Sequence, residues 1–150
     1  MMARWHHPLI VFFVLAGASC TKNEVVVTEP VAGELNNSTW MLQAFETLGG
    51  RIELLHPRDT IPLTFSDHRK VKGRASGLCG NYYYGVYSTS SASAITFDSL
   101  ISSEALCVPE SKYWNFFDEL RQVSSLQHAG TRLYLYNGNR TKRMMFTRML

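Results

Sequence analysis

Gly77-Leu78-Cys79-Gly80-Asn81-Tyr82-Tyr83-Tyr84-Gly85-Val86-Tyr87 joins turn chemistry to an aromatic run of strand character. Asn81 and the flanking glycines suit a backbone that turns with φ > 0, because Asn tolerates the left-handed region and Gly has no Cβ to clash. In the strand that follows, side chains alternate between faces. Tyr83, Gly85 and Tyr87 therefore share one face, and Tyr82, Tyr84 and Val86 the other. Gly85 leaves room on the first face for a helix or for aromatic rings to approach. That face reads either as core, the commoner use of aromatic side chains, or as an aromatic groove for an apolar ligand or peptide.

Further short runs of strand character lie on either side: Trp40 to Phe45, Arg51 to Leu55, Thr60 to Phe65, Lys70 to Ala75 and Ala94 to Asp98. Gly49-Gly50, His56-Pro57-Arg58-Asp59, Ser66-Asp67 and the serine-rich stretch Ser88 to Ser93 separate them with turn chemistry. This spacing predicts antiparallel hairpins rather than βαβ units. One segment differs. Pro109 to about Gln127 sets Tyr113, Phe116, Phe117, Leu120 and Val123 on a single helical stripe. Pro109 suits a first helical position, Glu110 complements the positive end of the dipole, and Gly130 lies just past a plausible stop. Two strands, Arg132 to Tyr136 and Arg143 to Met149, then follow, joined through the hairpin signal Asn137-Gly138. The helix must pack against a curled sheet.

The chain opens with Arg4, His6 and His7, an apolar run from Leu9 to Leu15, and Ala16-Gly17-Ala18-Ser19-Cys20. That run is too short to cross a bilayer, which takes about 20 apolar residues, and it fits a cleaved export signal. Two processing routes are open. A lipoprotein peptidase would leave Cys20 as a lipidated N-terminus, although Gly17 stands where a leucine is usual; an ordinary signal peptidase would cut after Ala18. Cysteine parity favours lipidation, since it leaves Cys79 and Cys107 as an even pair in an oxidising compartment. The expected organisation is a leader over 1–19, lipidated Cys20 with a flexible tether over 20–35, and one folded domain over 36–150.

The net charge of +3 is too mild to argue for nucleic acid. Charge is uneven, however: beyond Glu119 come Arg121, Arg132, Arg140, Lys142, Arg143 and Arg148 with no acid. Alternation also places Lys70, Lys72 and Arg74 on one face. Together with the C-terminal arginines these are candidate contacts for phosphates of lipid or lipopolysaccharide head groups, set against an ordinary charged outer face that guards against edge pairing.

Cys79 and Cys107 admit a disulfide, two separate buried thiols, or a reactive or metal-bound thiol, and the compartment favours the first. His56, His68 and His128 lack ligand spacing. Gly73-Arg74-Ala75-Ser76-Gly77 misplaces its serine for a nucleophile elbow. Asp67, Asp98 and Glu104 are carboxylates that no sequence logic brings together. No Walker loop, H-E-x-x-H or calcium loop occurs, and neither metal nor cofactor is expected.

The quoted segment resembles the G-x-x-C-N-x-Y-x-G-x-Y signature of META-domain proteins, the family of the heat-shock lipoprotein HslJ, carried here by Gly77, Cys79, Asn81, Tyr83, Gly85 and Tyr87. Gly80 separates Cys79 from Asn81, which are adjacent in the family pattern. Trp40-Met41-Leu42, Leu63-Thr64-Phe65, Val71-Lys72-Gly73, Ser103 to Cys107, the aromatic helix, Leu133-Tyr134-Leu135 and Phe146 are similar to the rest of that pattern, in order. The expected fold is α+β, an antiparallel sheet curled as a cracked barrel around a single amphipathic helix. The resemblance implies an envelope role connected with stress or antibiotic tolerance. The expected function is a non-enzymatic binding or scaffolding module, held to a membrane through its lipid anchor, with an envelope protein or peptide as partner and no nucleic acid. The alternatives are an inhibitor of envelope proteases or other enzymes presenting Ser88 to Ser93, and an enzyme using Cys79.

Overall fold

Alternating apolar and polar residues carry most of the chain into strands, and Gly, Asn, Asp and Ser close the turns between them. The computed structural model describes residues 34–150; the leader, Cys20 and nearly all of the expected tether lie outside them. The elements are β1 (Ser38–Thr47), β2 (Ile52–Leu54), β3 (Asp59–Thr60), β4 (Pro62–Ser66), β5 (Lys70–Arg74), β6 (Ser76–Gly77), β7 (Tyr82–Thr89), β8 (Ile95–Ser102), α1 (Tyr113–Leu120), β9 (Val123–Ala129), β10 (Arg132–Asn137) and β11 (Lys142–Arg148).

Hydrogen bonding orders the main sheet β8-β7-β5-β4-β1-β11-β10-β9, with β2 also on β1 and β3 paired with β6 in a small second sheet. Every pairing in the main sheet is antiparallel. The first strand thus sits mid-sheet, between β4 and the last strand. The sheet curls until its ends meet: Ala94 bridges Ser125, and the Leu126 N–H donates to the Ser93 carbonyl at 2.8 Å. This is a cracked barrel, and α1, in the connection from β8 to β9, fills it. Leu35, at the end of the expected tether, is buried in the core.

The helix buries Tyr113, Phe116, Phe117 and Leu120. They meet Trp40, Tyr83, Leu133 and Phe146 from the sheet in one aromatic-rich core. Tyr83 lies 5.2 Å from Phe116, centroid to centroid, and Tyr113 stacks on Phe117 at 6.1 Å.

Three expectations for this region are corrected. The helix ends at Leu120, not near Gln127, and Val123 to Ala129 is strand β9. In β9 a bulge at Ser124 skips one residue between the pairs Tyr136–Ser125 and Asn137–Val123. Val123 and Leu126 therefore both face inward three residues apart, a spacing that imitates a helix. Gly130 accordingly closes the β9–β10 hairpin at φ +60° instead of ending a helix. Pro109 and Glu110 precede α1 in a turn closed by the Ser111 N–H on the Val108 carbonyl. The helix start is held from a distance. Asp59, almost fully buried, accepts the Lys112 N–H at 2.6 Å and the Ser111 hydroxyl at 3.1 Å, satisfying donors that a helix leaves free.

Candidate functional site

The signature segment is architecture. Gly77 takes φ +87°, as the turn chemistry predicts, and a Cβ there would stand 1.6 Å from the Arg58 carbonyl oxygen, so the close β3–β6 approach requires glycine. Cys79 and Cys107 form a disulfide across 28 residues. Asn81 corrects the expectation of a left-handed backbone, for its φ is not positive. Its fully buried side chain works instead: Nδ2 donates to the Ala105 carbonyl at 3.1 Å and lies 3.3 and 3.4 Å from the two disulfide sulfurs. Oδ1 accepts the Ala105 N–H at 2.7 Å and the Ser103 hydroxyl at 2.9 Å. One amide thus pins the strand-to-helix connection.

The inward face of β7 is core, and the aromatic-groove reading is corrected, since Tyr83 and Tyr87 are buried against other rings. Gly85 accommodates neither helix nor aromatic ring: a Cβ there would meet Leu100 Cδ2 at 2.8 Å and the Asp98 carbonyl at 3.0 Å, beside the β7–β8 bulge. The glycine that makes room for a ring is Gly73, across which Tyr83 lies while donating to the Pro62 carbonyl at 2.7 Å. Burial raises the Tyr83 hydroxyl well above the ordinary tyrosine range, and nearby Tyr113 adds to the effect. Burial also raises Tyr87 and Tyr113.

The outward face is chemically different. Register sets Lys70 opposite Val86, Lys72 opposite Tyr84 and Arg74 opposite Tyr82, and Tyr84 opposite Ile101. Tyr82 is 55 % exposed, Tyr84 50 % and Ile101 52 %. A shallow depression of about 470 Å³ runs between Lys70, Lys72, Tyr84, Val86 and Ile101. A second, separate groove at the end of the row is lined by Arg74 and by Leu106, which is 97 % exposed. Among the described residues, none of these three cations joins an ion pair. The sequence placed the cations and the outward tyrosines; Ile101 and Leu106 gave no signal, because only the bulge and the disulfide loop bring them here.

The C-terminal cations do not join this row, contrary to the combined patch expected from sequence. Arg143 bonds Glu46 at 2.6 Å and lies over the Tyr134 ring; burial opposes its charge, but the bonds to Glu46 and Tyr136 prevail and raise its pKa. Lys142 pairs with Glu119 at 2.7 Å, Arg121 covers Phe117 and Arg140 covers Tyr136. Of these cations, Lys142 and Arg143 line a separate recess of about 160 Å³ between β1, α1 and β11, where with Arg51 they face Glu46, Glu53 and Glu119. The Lys112 bond holds the Glu53 carboxyl below its usual pKa.

The histidines are dispersed. His56 Nδ1 accepts the Arg58 N–H in a turn, His68 takes φ 60° beside β5, and His128 lies 3.1 Å from Glu34 with its ring edge-on to Trp40. Asp67 accepts the Asn36 and Asn37 amides, while Asp98 sits in β8 and Glu104 beyond it. Ser93 in the serine-rich loop lends its carbonyl to barrel closure. Among the described residues, no group of three or more His, Cys, Asp and Glu side chains is placed to hold a metal, and no helix is long and apolar enough to cross a membrane.

The META domain sequence model matches residues 33–149, nearly the whole described chain. The chain belongs to the META-domain family. Two solved structures share this META fold. One is an NMR structure of a protein from Burkholderia xenovorans, 20 % identical, covering 78 % of this chain and 85 % of the other with a TM-score of 0.63. The second is the crystal structure of a DUF4847 family protein from Bacteroides vulgatus, 14 % identical, covering 75 % of this chain and 93 % of the other with a TM-score of 0.54. No curated protein matches the chain.

Proposed function

We propose that this META-domain protein is a non-enzymatic binding or scaffolding module of the cell envelope, tied to a membrane through Cys20 and serving envelope stress or antibiotic tolerance. The observation that carries the reading is the outer β5–β7–β8 face, where cations that join no ion pair among the described residues stand beside exposed aromatic and aliphatic side chains on one sheet. Such mixed surfaces serve recognition rather than bond-making. The disulfide supports an oxidising compartment, and it occupies the thiol that an enzyme using Cys79 would need free. In cells, a photo-crosslinking residue in place of Tyr84 should capture an envelope component, and the same probe in place of Arg132 on β10 should not. Equal capture from both positions, or from neither, overturns the proposal.

A further inference from the structure

We infer that the β5–β7–β8 face rests on an anionic phospholipid surface, with Lys70, Lys72 and Arg74 among the phosphates and Tyr82, Tyr84, Ile101 and Leu106 at the interface. This names the partner of the face described above and rests on that reading.

Charge complementarity is the first argument. The other described lysines and arginines include four that are committed to carboxylates, namely Lys112, Arg121, Lys142 and Arg143. Among the described residues Lys70, Lys72 and Arg74 join no ion pair, and neither do Arg51, Arg58, Arg69, Arg132, Arg140 and Arg148, but the first three stand at successive exposed positions of one strand. Asp67 in the turn before Lys70, Asp98 in register with Val86 and Glu104 past the end of β8 are the nearest carboxylates, set against the four cations Arg69, Lys70, Lys72 and Arg74, so the face stays net positive. Residues two apart on a strand stand about 6.7 Å from each other, which makes the row about 13 Å long and matches a line of head groups.

Chemistry of the neighbours is the second. Tyrosine rings and lysine stems have apolar bodies with polar ends, the type of side chain that settles at a membrane interface. The apolar row Tyr82, Tyr84 and Val86 runs beside the cations on the adjacent strand, so both meet one plane. Such a surface gives weak, reversible attraction of about 1 kcal/mol per cation, useful as a supplement to an acyl anchor.

The third is the route of the chain. Asn36 and Asn37 bond Asp67 at 3.1 Å each, in the turn that leads directly into Lys70. The stretch from Cys20 to Leu35 spans at most about 50 Å fully extended. A lipid on Cys20 therefore leaves the cationic row within reach of the bilayer that holds the lipid.

The test uses the exported Cys20→Ser chain, so that no acyl group contributes. It should sediment with vesicles of equimolar phosphatidylglycerol and phosphatidylcholine, and bind pure phosphatidylcholine at least tenfold more weakly. Lys70→Gln and Lys72→Gln should each weaken binding about fivefold, which is about 1 kcal/mol. Tyr84→Ser should weaken it too, and Arg132→Gln, four strands away round the sheet, should not. Footprinting of the unsubstituted side chains guards against misfolded variants: anionic vesicles should protect Lys70 and Lys72 from acetylation and leave Lys142 reactive. Equal binding to both vesicles, or no protection, overturns the inference. So does binding confined to lipopolysaccharide or to a protein, in which case the Tyr84 crosslinks persist and the broader reading stands; loss of those crosslinks removes both.

Discussion

The side-chain amide of Asn81 pairs with the peptide group of Ala105 as a neighbouring strand would, donating at 3.1 Å and accepting at 2.7 Å. Removing it takes the partner from the part-buried Ala105 N–H and carbonyl and from the Ser103 hydroxyl, so Asn81→Ala should cost about 1–3 kcal/mol. Asn81→Asp keeps the acceptor but sets a carboxylate against the Ala105 carbonyl, and should cost at least as much. Urea midpoints measure both.

Reduction of the Cys79–Cys107 bond frees a loop of 28 residues, for which chain-entropy arguments give about 3–4 kcal/mol. Cys107→Ser should lower the melting temperature by a matching amount. Reductant should melt the wild type towards the variant and leave the variant unchanged.

Gly77→Ala should be severe, because φ +87° and the Arg58 carbonyl at 1.6 Å both exclude a Cβ. Gly80→Ala should be almost neutral, since nothing lies within 4 Å of its Cβ position. Two glycines three residues apart thus give opposite outcomes in one denaturation experiment.

Asp59→Ala takes the acceptor from Lys112 N–H and from the Ser111 hydroxyl. A lost cap costs about 1–2 kcal/mol, and local opening of α1 should appear as faster amide exchange at Lys112 and Tyr113.

Burial raises Tyr83, Tyr87 and Tyr113 above the unfolded tyrosine value. Above pH of about 10 the unfolded chain releases these protons while the folded chain retains them, so stability is complete below that pH and falls as pH rises further. Absorbance at the phenolate band should show the fully buried Tyr83 ionising only as the protein unfolds, and Tyr83→Phe should flatten the alkaline loss.

Where alternation was strict, the sequence was sufficient: β7 reads directly as Tyr83 in and Tyr84 out, and Lys70, Lys72 and Arg74 stand together as spacing required. The helix was overextended because the Ser124 bulge gave Val123 and Leu126 a helical interval. The tertiary roles of Asp59 and Asn81 had no local signature, since their partners lie 53 and 24 residues away. The candidate face was half legible: the cations and tyrosines follow from period, whereas Ile101 and Leu106 arrive through a bulge and a crosslink.

The mid-sheet place of β1 has a consequence for biogenesis. Trp40 pairs with Arg148, and Thr47 with Lys142, so the first described strand finds its second neighbour only once β11, the last described strand, has been delivered. Until then an apolar edge waits unsatisfied, the situation in which chains aggregate. Synthesis in one direction therefore makes the last seven-residue strand a keystone, and clipping it should leave a chain that needs a chaperone rather than a slightly weakened domain.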